Sequence, residues 1–193
     1  MANSVLVIAD SGTGKSTSIR TLDPKETFII NIANKPLPFK GWKSKYTQIT
    51  KDNPKGNLTS AATAPGIIKA MRHVNDKMGH IKTIVVDDWQ YMSSFEYFDR
   101  ANEKGYEKFT QIAANLAQVA KLPKDLRDDL TIIFLTHSED STDINGNRKI
   151  KAKTVGKMID NTLTLEGLFS IVLFGKVNKN DDGELEYGFE TQN

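Results

Sequence analysis

Residues 5–22 read "VLVIADSGTGKSTSIRTL", and the fold turns on how that stretch is taken. An apolar run ends at Ala9, a glycine-rich turn follows, and a helix-forming segment comes next. A turn that holds a triphosphate needs backbone N–H groups pointing into one concavity, a cation on the β and γ phosphates, and a hydroxyl on Mg2+. Gly12, Thr13 and Gly14 form the permissive turn, Lys15 brings the charge and Ser16 the hydroxyl. Thr17 is placed to touch the α-phosphate, and the helix after it adds its N-terminal dipole. The usual pattern has glycine where this chain has Ala9. That glycine eases the turn out of the strand, and alanine adds one methyl group. The expectation is a loop less tolerant in its geometry, with binding retained. The alternative is a glycine-rich turn bearing a solvated lysine.

Strands and helices alternate along the rest of the chain. Residues 4–9, 27–33, 81–88 and 130–139 read as four buried strands, rich in aliphatic and β-branched residues. Residues 17–22 read as a helix ended by "DPKE". Pro65 opens another, with Ile67, Met71, Val74 and Met78 at helical spacing. A long helix after Asp88 carries Tyr106, Phe109, Ile112, Ala113, Leu116 and Ala120 on one face. "DINGNRKIK" (143–151) has an Asn-Gly turn signal, which predicts a hairpin or loop. Residues 168–177 and 185–191 read as an antiparallel pair turning at Asp182-Gly183. There is no internal repeat or composition shift, so residues 1–193 read as one domain. The alternation predicts an α/β fold with a mainly parallel sheet flanked by helices. Ligands of such sheets sit beyond the C-terminal strand ends, where the polar strand ends of this chain fall.

Those ends carry the remaining chemistry. "TIVVDDWQ" (83–90) is an apolar strand ending in two carboxylates. Asp87, first after the run, suits Mg2+, and Asp88 suits a general base or an orienter of water. Capping of the next helix is the alternative for both. In "FLTHSE" (134–139), Thr136 or His137 is placed to sense a γ-phosphate, with Glu139 coupling to the loop beyond. No acid partner marks a hydrolase triad. Arg148, Lys149, Lys151, Lys153 and Lys157 crowd one stretch and match a phosphate-backbone surface; a solvated, lysine-guarded sheet edge is the alternative. "KPLPFKGWKSKY" (35–46) interleaves Phe39, Trp42 and Tyr46 with lysines. It suits either single-stranded nucleic acid or a proline-rich loop whose aromatics pack on the core, the second being favoured.

Composition narrows the classes. The 193 residues suffice for a full core, and 38% hydrophobic with 26% charged residues fits a globular chain. The absence of cysteine excludes disulfides and thiol chemistry, and three scattered histidines suggest no metal cluster. No apolar run reaches membrane-spanning length and no secretory pattern opens the chain, so the expectation is a cytoplasmic protein without membrane contact. The net charge of +2 conceals basic segments around residues 35–55 and 148–157.

Taken together, "SGTGKSTSIRTLDPKETFIIN", "KPLPFKGW", "TIVVDDWQYM", "GYEKFTQIA", "LTHSE" and "KAKTVGKMIDN" resemble the bacteriophage RecA-like AAA-family ATPases of the Sak single-strand-annealing group. The resemblance spans nearly the whole chain. It implies a RecA-like P-loop NTPase core, ATP and Mg2+, single-stranded DNA, assembly into a ring or filament, and cooperation with a single-strand-binding protein. It would put Gly12 to Thr17 on the nucleotide and Ser16 with Asp87 on Mg2+. Lys15, Asp88 and His137 would serve catalysis. It would put Arg148, Lys149, Lys151 and Lys153 on DNA and make Lys157 a candidate to reach a neighbouring subunit's phosphates. RecA itself places a catalytic glutamate just after its second strand; "NIANKPL" (31–37) offers Asn31 and Asn34 and no carboxylate. The expected function is an ATP-hydrolysing recombination protein that binds single-stranded DNA and promotes annealing or strand exchange. A nucleotide-gated adaptor or loader without turnover is the alternative. A small-molecule kinase fits less well, because its arginine-bearing lid finds no match in arginines spread singly.

Overall fold

Aliphatic residues at consecutive strand positions point alternately to the two faces of a sheet, so an unbroken apolar run is stable only where both faces are covered. That condition is met in the computed structural model, which describes residues 1–142, 146–155 and 164–191. The strands are β1 (Asn3–Ala9), β2 (Thr27–Asn31), β3 (Leu58–Thr59), β4 (Thr83–Asp87), β5 (Thr131–Thr142), β6 (Arg148–Ala152), β7 (Ile171–Lys179) and β8 (Leu185–Glu190). Their order is β3-β2-β4-β5-β1-β7-β8, with β6 paired to the outer half of β5. The pairs from β3 through β7 along that order are parallel. β8 runs antiparallel to β7, and β6 antiparallel to β5. The C-terminal antiparallel pair is therefore present, with Gly183 at φ 81 in its turn.

The helices are α1 (Lys15–Ser18), α2 (Trp42–Lys45), α3 (Ala64–Lys77), α4 (Gln90–Asp99) and α5 (Glu107–Lys121). Leu6, Ile8, Phe28, Ile30, Ile84, Val86, Ile132 and Phe134 face one side of the sheet, where Ile67, Met71, Val74, Met92, Ile112, Leu116 and Val119 of α3 to α5 cover them. Val7, Ile29, Val85 and Leu135 face the other, under Ile19, Leu37 and Tyr46. Phe39 and Trp42 pack on that second cluster. The proline-rich segment thus covers the core, as the favoured reading expected.

Two expectations are corrected. The helix after the glycine turn spans only Lys15–Ser18, then tightens to a 3-10 turn at Ile19–Thr21. Ser18 Oγ donates to Lys15 O at 2.6 Å and Thr21 Oγ1 to Ser18 O at 2.8 Å, side-chain bonds that compete with helix propagation. The long helix after Asp88 is two helices, broken at residues 100–106, where Gly105 has φ 90. Arg100 bridges Glu96 and Glu103 across this corner, and Lys108 Nζ donates to the carbonyls of Arg100 and Glu103. Tyr106 accordingly lies outside the core, 81% exposed, while Lys108 and Val119 are buried.

The packing of β1 against β7 explains the alanine at the head of the turn. The register pairs Ile8 with Phe174, which brings Ala9 beside Gly175. A Cβ on Gly175 would lie 2.6 Å from Ala9 Cβ, closer than two carbons approach. The missing glycine has, in effect, moved to the neighbouring strand. Gly175→Ala is expected to lower the melting temperature by overpacking, at a cost of about 1–3 kcal/mol. Adding Ala9→Gly to that variant restores most of the loss, read as a double-mutant cycle in thermal melts.

Candidate functional site

Parallel register assembles the site. Ala9 pairs with His137 and Asn31 with Asp87, so the ends of β1, β5, β2 and β4 meet at one edge of the sheet. The glycine turn leaves β1 there. Gly12 and Gly14 sit at φ 83 and 88, a left-handed backbone that costs other residues energy. Thr13 Oγ1 donates to Asp10 O at 2.7 Å.

Lys15 folds back over the turn. Its Nζ donates to Ala9 O at 2.6 Å and to Asp10 O at 2.7 Å. Burial lowers its pKa to about 8, against the pull of Asp88, Asp10 and Asp87. Ser16 Oγ donates to Asp87 Oδ1 at 2.7 Å, which ties the turn to the end of β4. Asp87 is 1% exposed, and burial, reinforced by the charge of Asp88, pushes its pKa up to about 6. A hydroxyl and a carboxylate in contact at the mouth of a phosphate turn are a fitting donor set for Mg2+. Among the described residues, no group of three or more His, Cys, Asp or Glu is placed to hold a metal ion by itself.

Asp88 has φ 60, in the left-handed region that few residues other than glycine, asparagine and aspartate enter. Its carboxylate forms an ion pair with Lys35, and His137 Nε2 lies 3.7 Å from Oδ1. Burial opposes its ionisation, but hydrogen bonds and charge from His137 and Lys35 prevail and hold its pKa below the ordinary value. The backbone is fixed on its C-terminal side: Trp89 N donates to Leu135 O, and the Trp89 ring packs on Phe134 and Phe169.

A pocket of about 600 Å³ opens over these groups. Ser11 to Ser18, Lys35, Asp88 and His137 line it, and its size suits a nucleotide. The structure therefore brings Gly12, Thr13, Gly14, Lys15, Ser16, Thr17, Asp88 and His137 together, with Asp87 beneath. Thr136, 1% exposed, is buried away from that lining, which leaves His137 as the strand-end donor at the pocket.

The basic stretch forms the predicted hairpin, β5 with β6. Arg148 donates twice to Asp140, at 2.9 and 3.0 Å, and Lys151 lies 3.7 Å from Glu139. Glu139 and Lys151 are register partners in this hairpin. Lys149 and Lys153 are exposed. Lys157 lies outside the described residues.

Sequence reasoning missed Lys35 and Asp10, and left Asn31 without a role. Lys35 was read only as part of a basic cluster, although its place just past β2 brings it to Asp88. Asp10 accepts a hydrogen bond from Ser138 Oγ across the mouth of the sheet. Asn31, in place of a carboxylate at the end of β2, donates Nδ2 to Lys35 O at 2.7 Å, and its buried Oδ1 has no partner among the described residues.

A protein-family model described as an AAA domain matches residues 1–193. No curated protein matches the chain.

The raised pKa of Asp87 makes the site costly. A carboxyl whose folded pKa lies above its ordinary 3.8 stabilises the fold at low pH and loses that contribution as pH rises through about 6. The difference corresponds to about 3 kcal/mol. Asp87→Asn keeps an acceptor for Ser16 and removes the titration. It is expected to melt several degrees above the parent near neutral pH. The gap between the two should open between about pH 4 and 6 in melting curves and stay level above.

Proposed function

The chain belongs to the AAA domain family of P-loop ATPases, and on that premise we propose that it binds and hydrolyses ATP with Mg2+ to control an oligomer on single-stranded DNA. The observation that carries the nucleotide reading is the Ser16–Asp87 contact at the foot of a glycine turn that also holds Lys15. Lys15 exchanges its two carbonyl acceptors for phosphate oxygens. Ser16 and Asp87 would hold Mg2+, which would supply positive charge to the phosphates. Asp88 is a poor proton acceptor, being paired with Lys35 and kept below the usual carboxylate range. Its part is to orient the attacking water, which suffices for a loose phosphoryl-transfer transition state. His137, beside it, turns toward the terminal phosphate and reports its presence to β5.

β5 supports the link to DNA, because it runs from His137 directly into the basic hairpin. The Arg148–Asp140 pair is 73% and 64% exposed on its two sides, so solvent screens it and it exchanges readily for phosphate. Lys149 and Lys153 add two exposed cations. Annealing or strand exchange by the oligomer, with a single-strand-binding protein as partner, completes the reading. Lys157 belongs to it as the residue that would reach a neighbour's phosphates.

The second reading, a nucleotide-gated adaptor, draws on the neutralised Asp88 and on Asn31 where a carboxylate would speed hydrolysis. One assay separates the two. ATP hydrolysis is measured with and without single-stranded DNA, with Lys15→Ala as the blank. DNA-stimulated turnover that vanishes in the variant is expected; ATP binding with no turnover in either condition identifies the adaptor. In a companion titration, the Lys149→Ala/Lys153→Ala pair should weaken DNA binding. The slope of log affinity against log salt should fall by about 1.4, the value for two single-strand phosphate contacts.

A further inference from the structure

Two aromatic side chains stand beside the phosphate turn and have no role in the reading above. Tyr187 and Phe189, on β8, both line the pocket, yet they remain 58% and 51% exposed. Tyr187 stands beside the turn: a Cβ added at Gly14 would lie 3.4 Å from Tyr187 Cδ1 and 3.9 Å from Cε1. A large ring beside the phosphate cradle, with more than half its surface open, leaves apolar area that a flat ligand would cover.

The strand order gives the site a direction. Asp88 and His137 follow from β4 and β5, on one side of β1, whereas β7 and β8 lie on the other. A nucleoside triphosphate is linear, with its terminal phosphate and its base at opposite ends. When the terminal phosphate faces Asp88 and His137 and the turn cradles the phosphates, the base end runs toward β8. Tyr187, Gly188 and Phe189 of β8 are part of the pocket lining on that side.

We propose that Tyr187 is the stacking platform for the nucleobase, with Phe189 as its apolar flank. The C-terminal hairpin is then part of the nucleotide site as well as the edge of the sheet. Stacking on a single ring is tolerant of base identity, so the subsite takes nucleotides as a class and does not by itself choose adenine. Lys176, paired with Glu190 across β7 and β8, helps hold the strand that carries both rings.

The inference rests on the nucleotide reading, and the experiment distinguishes failure of either. Binding of ATP and of inorganic tripolyphosphate, each with Mg2+, is measured by calorimetry for the parent, Tyr187→Ala and Tyr187→Phe. The expected result is a loss of about tenfold or more in ATP affinity for Tyr187→Ala, with ATP affinity kept by Tyr187→Phe. Tripolyphosphate affinity should be the same in all three, which also shows that the turn is folded in each. Equal weakening of both ligands by Tyr187→Ala would mean that the ring merely props Gly14, and no change in either would remove the platform. A parent that binds tripolyphosphate as tightly as ATP has no base subsite, although the phosphate site stands. A parent that binds neither overturns the nucleotide reading, and this inference with it.

Discussion

The hydrogen bond from Ser16 to Asp87 joins two segments 71 residues apart, and the site depends on it. It fixes the glycine turn, which leaves β1, against the end of β4, although β5 lies between those two strands. The junction is possible because every strand concerned runs the same way. Parallel pairing forces their C-terminal ends to one edge, and the helices that return the chain lie on the faces, out of the way. A turn, a metal-binding pair and a strand-end histidine thus converge without a dedicated loop to gather them.

Convergence concentrates charge. Asp87 is driven toward its neutral form, Lys15 is held less basic than in water, and Asp88 remains ionised only through Lys35 and His137. These are opposite responses of neighbouring groups to similar burial, set by which of them finds a cation. Asp88 also carries backbone strain at φ 60, supported from behind by the packed rings of Trp89, Phe134 and Phe169. Strain and buried charge gathered at one edge, over an otherwise regular core, are typical of a working site.

The same edge opens in two directions. Toward β5 it continues into a hairpin whose cations are partly matched by Asp140 and Glu139, which moderates a surface that looks strongly basic in the sequence. Toward β8 it meets exposed aromatic rings. A ligand lying across β1 would therefore contact β5 on one side and the C-terminal hairpin on the other, and its arrival or loss would be felt in both together.

The sequence by itself determined the frame. Glycines at 12 and 14 before Lys15-Ser16, an apolar run before them and four aliphatic strands make the α/β sheet and its phosphate turn legible, because these signals are local. Pro65 opening α3, the turn at Gly183 and the strand end at Asp87 are local in the same way. The tertiary structure decided what depends on pairs far apart in the chain. That Gly175 makes room for Ala9, that Lys35 neutralises Asp88, and that Tyr187 stands beside Gly14 follow from strand order and register, which no short stretch encodes. The break between α4 and α5 had a local signal too, the polar stretch 100–105 ending in Gly105. What the tertiary structure added is the corner itself, where the side chains of Arg100 and Lys108 close back on the chain.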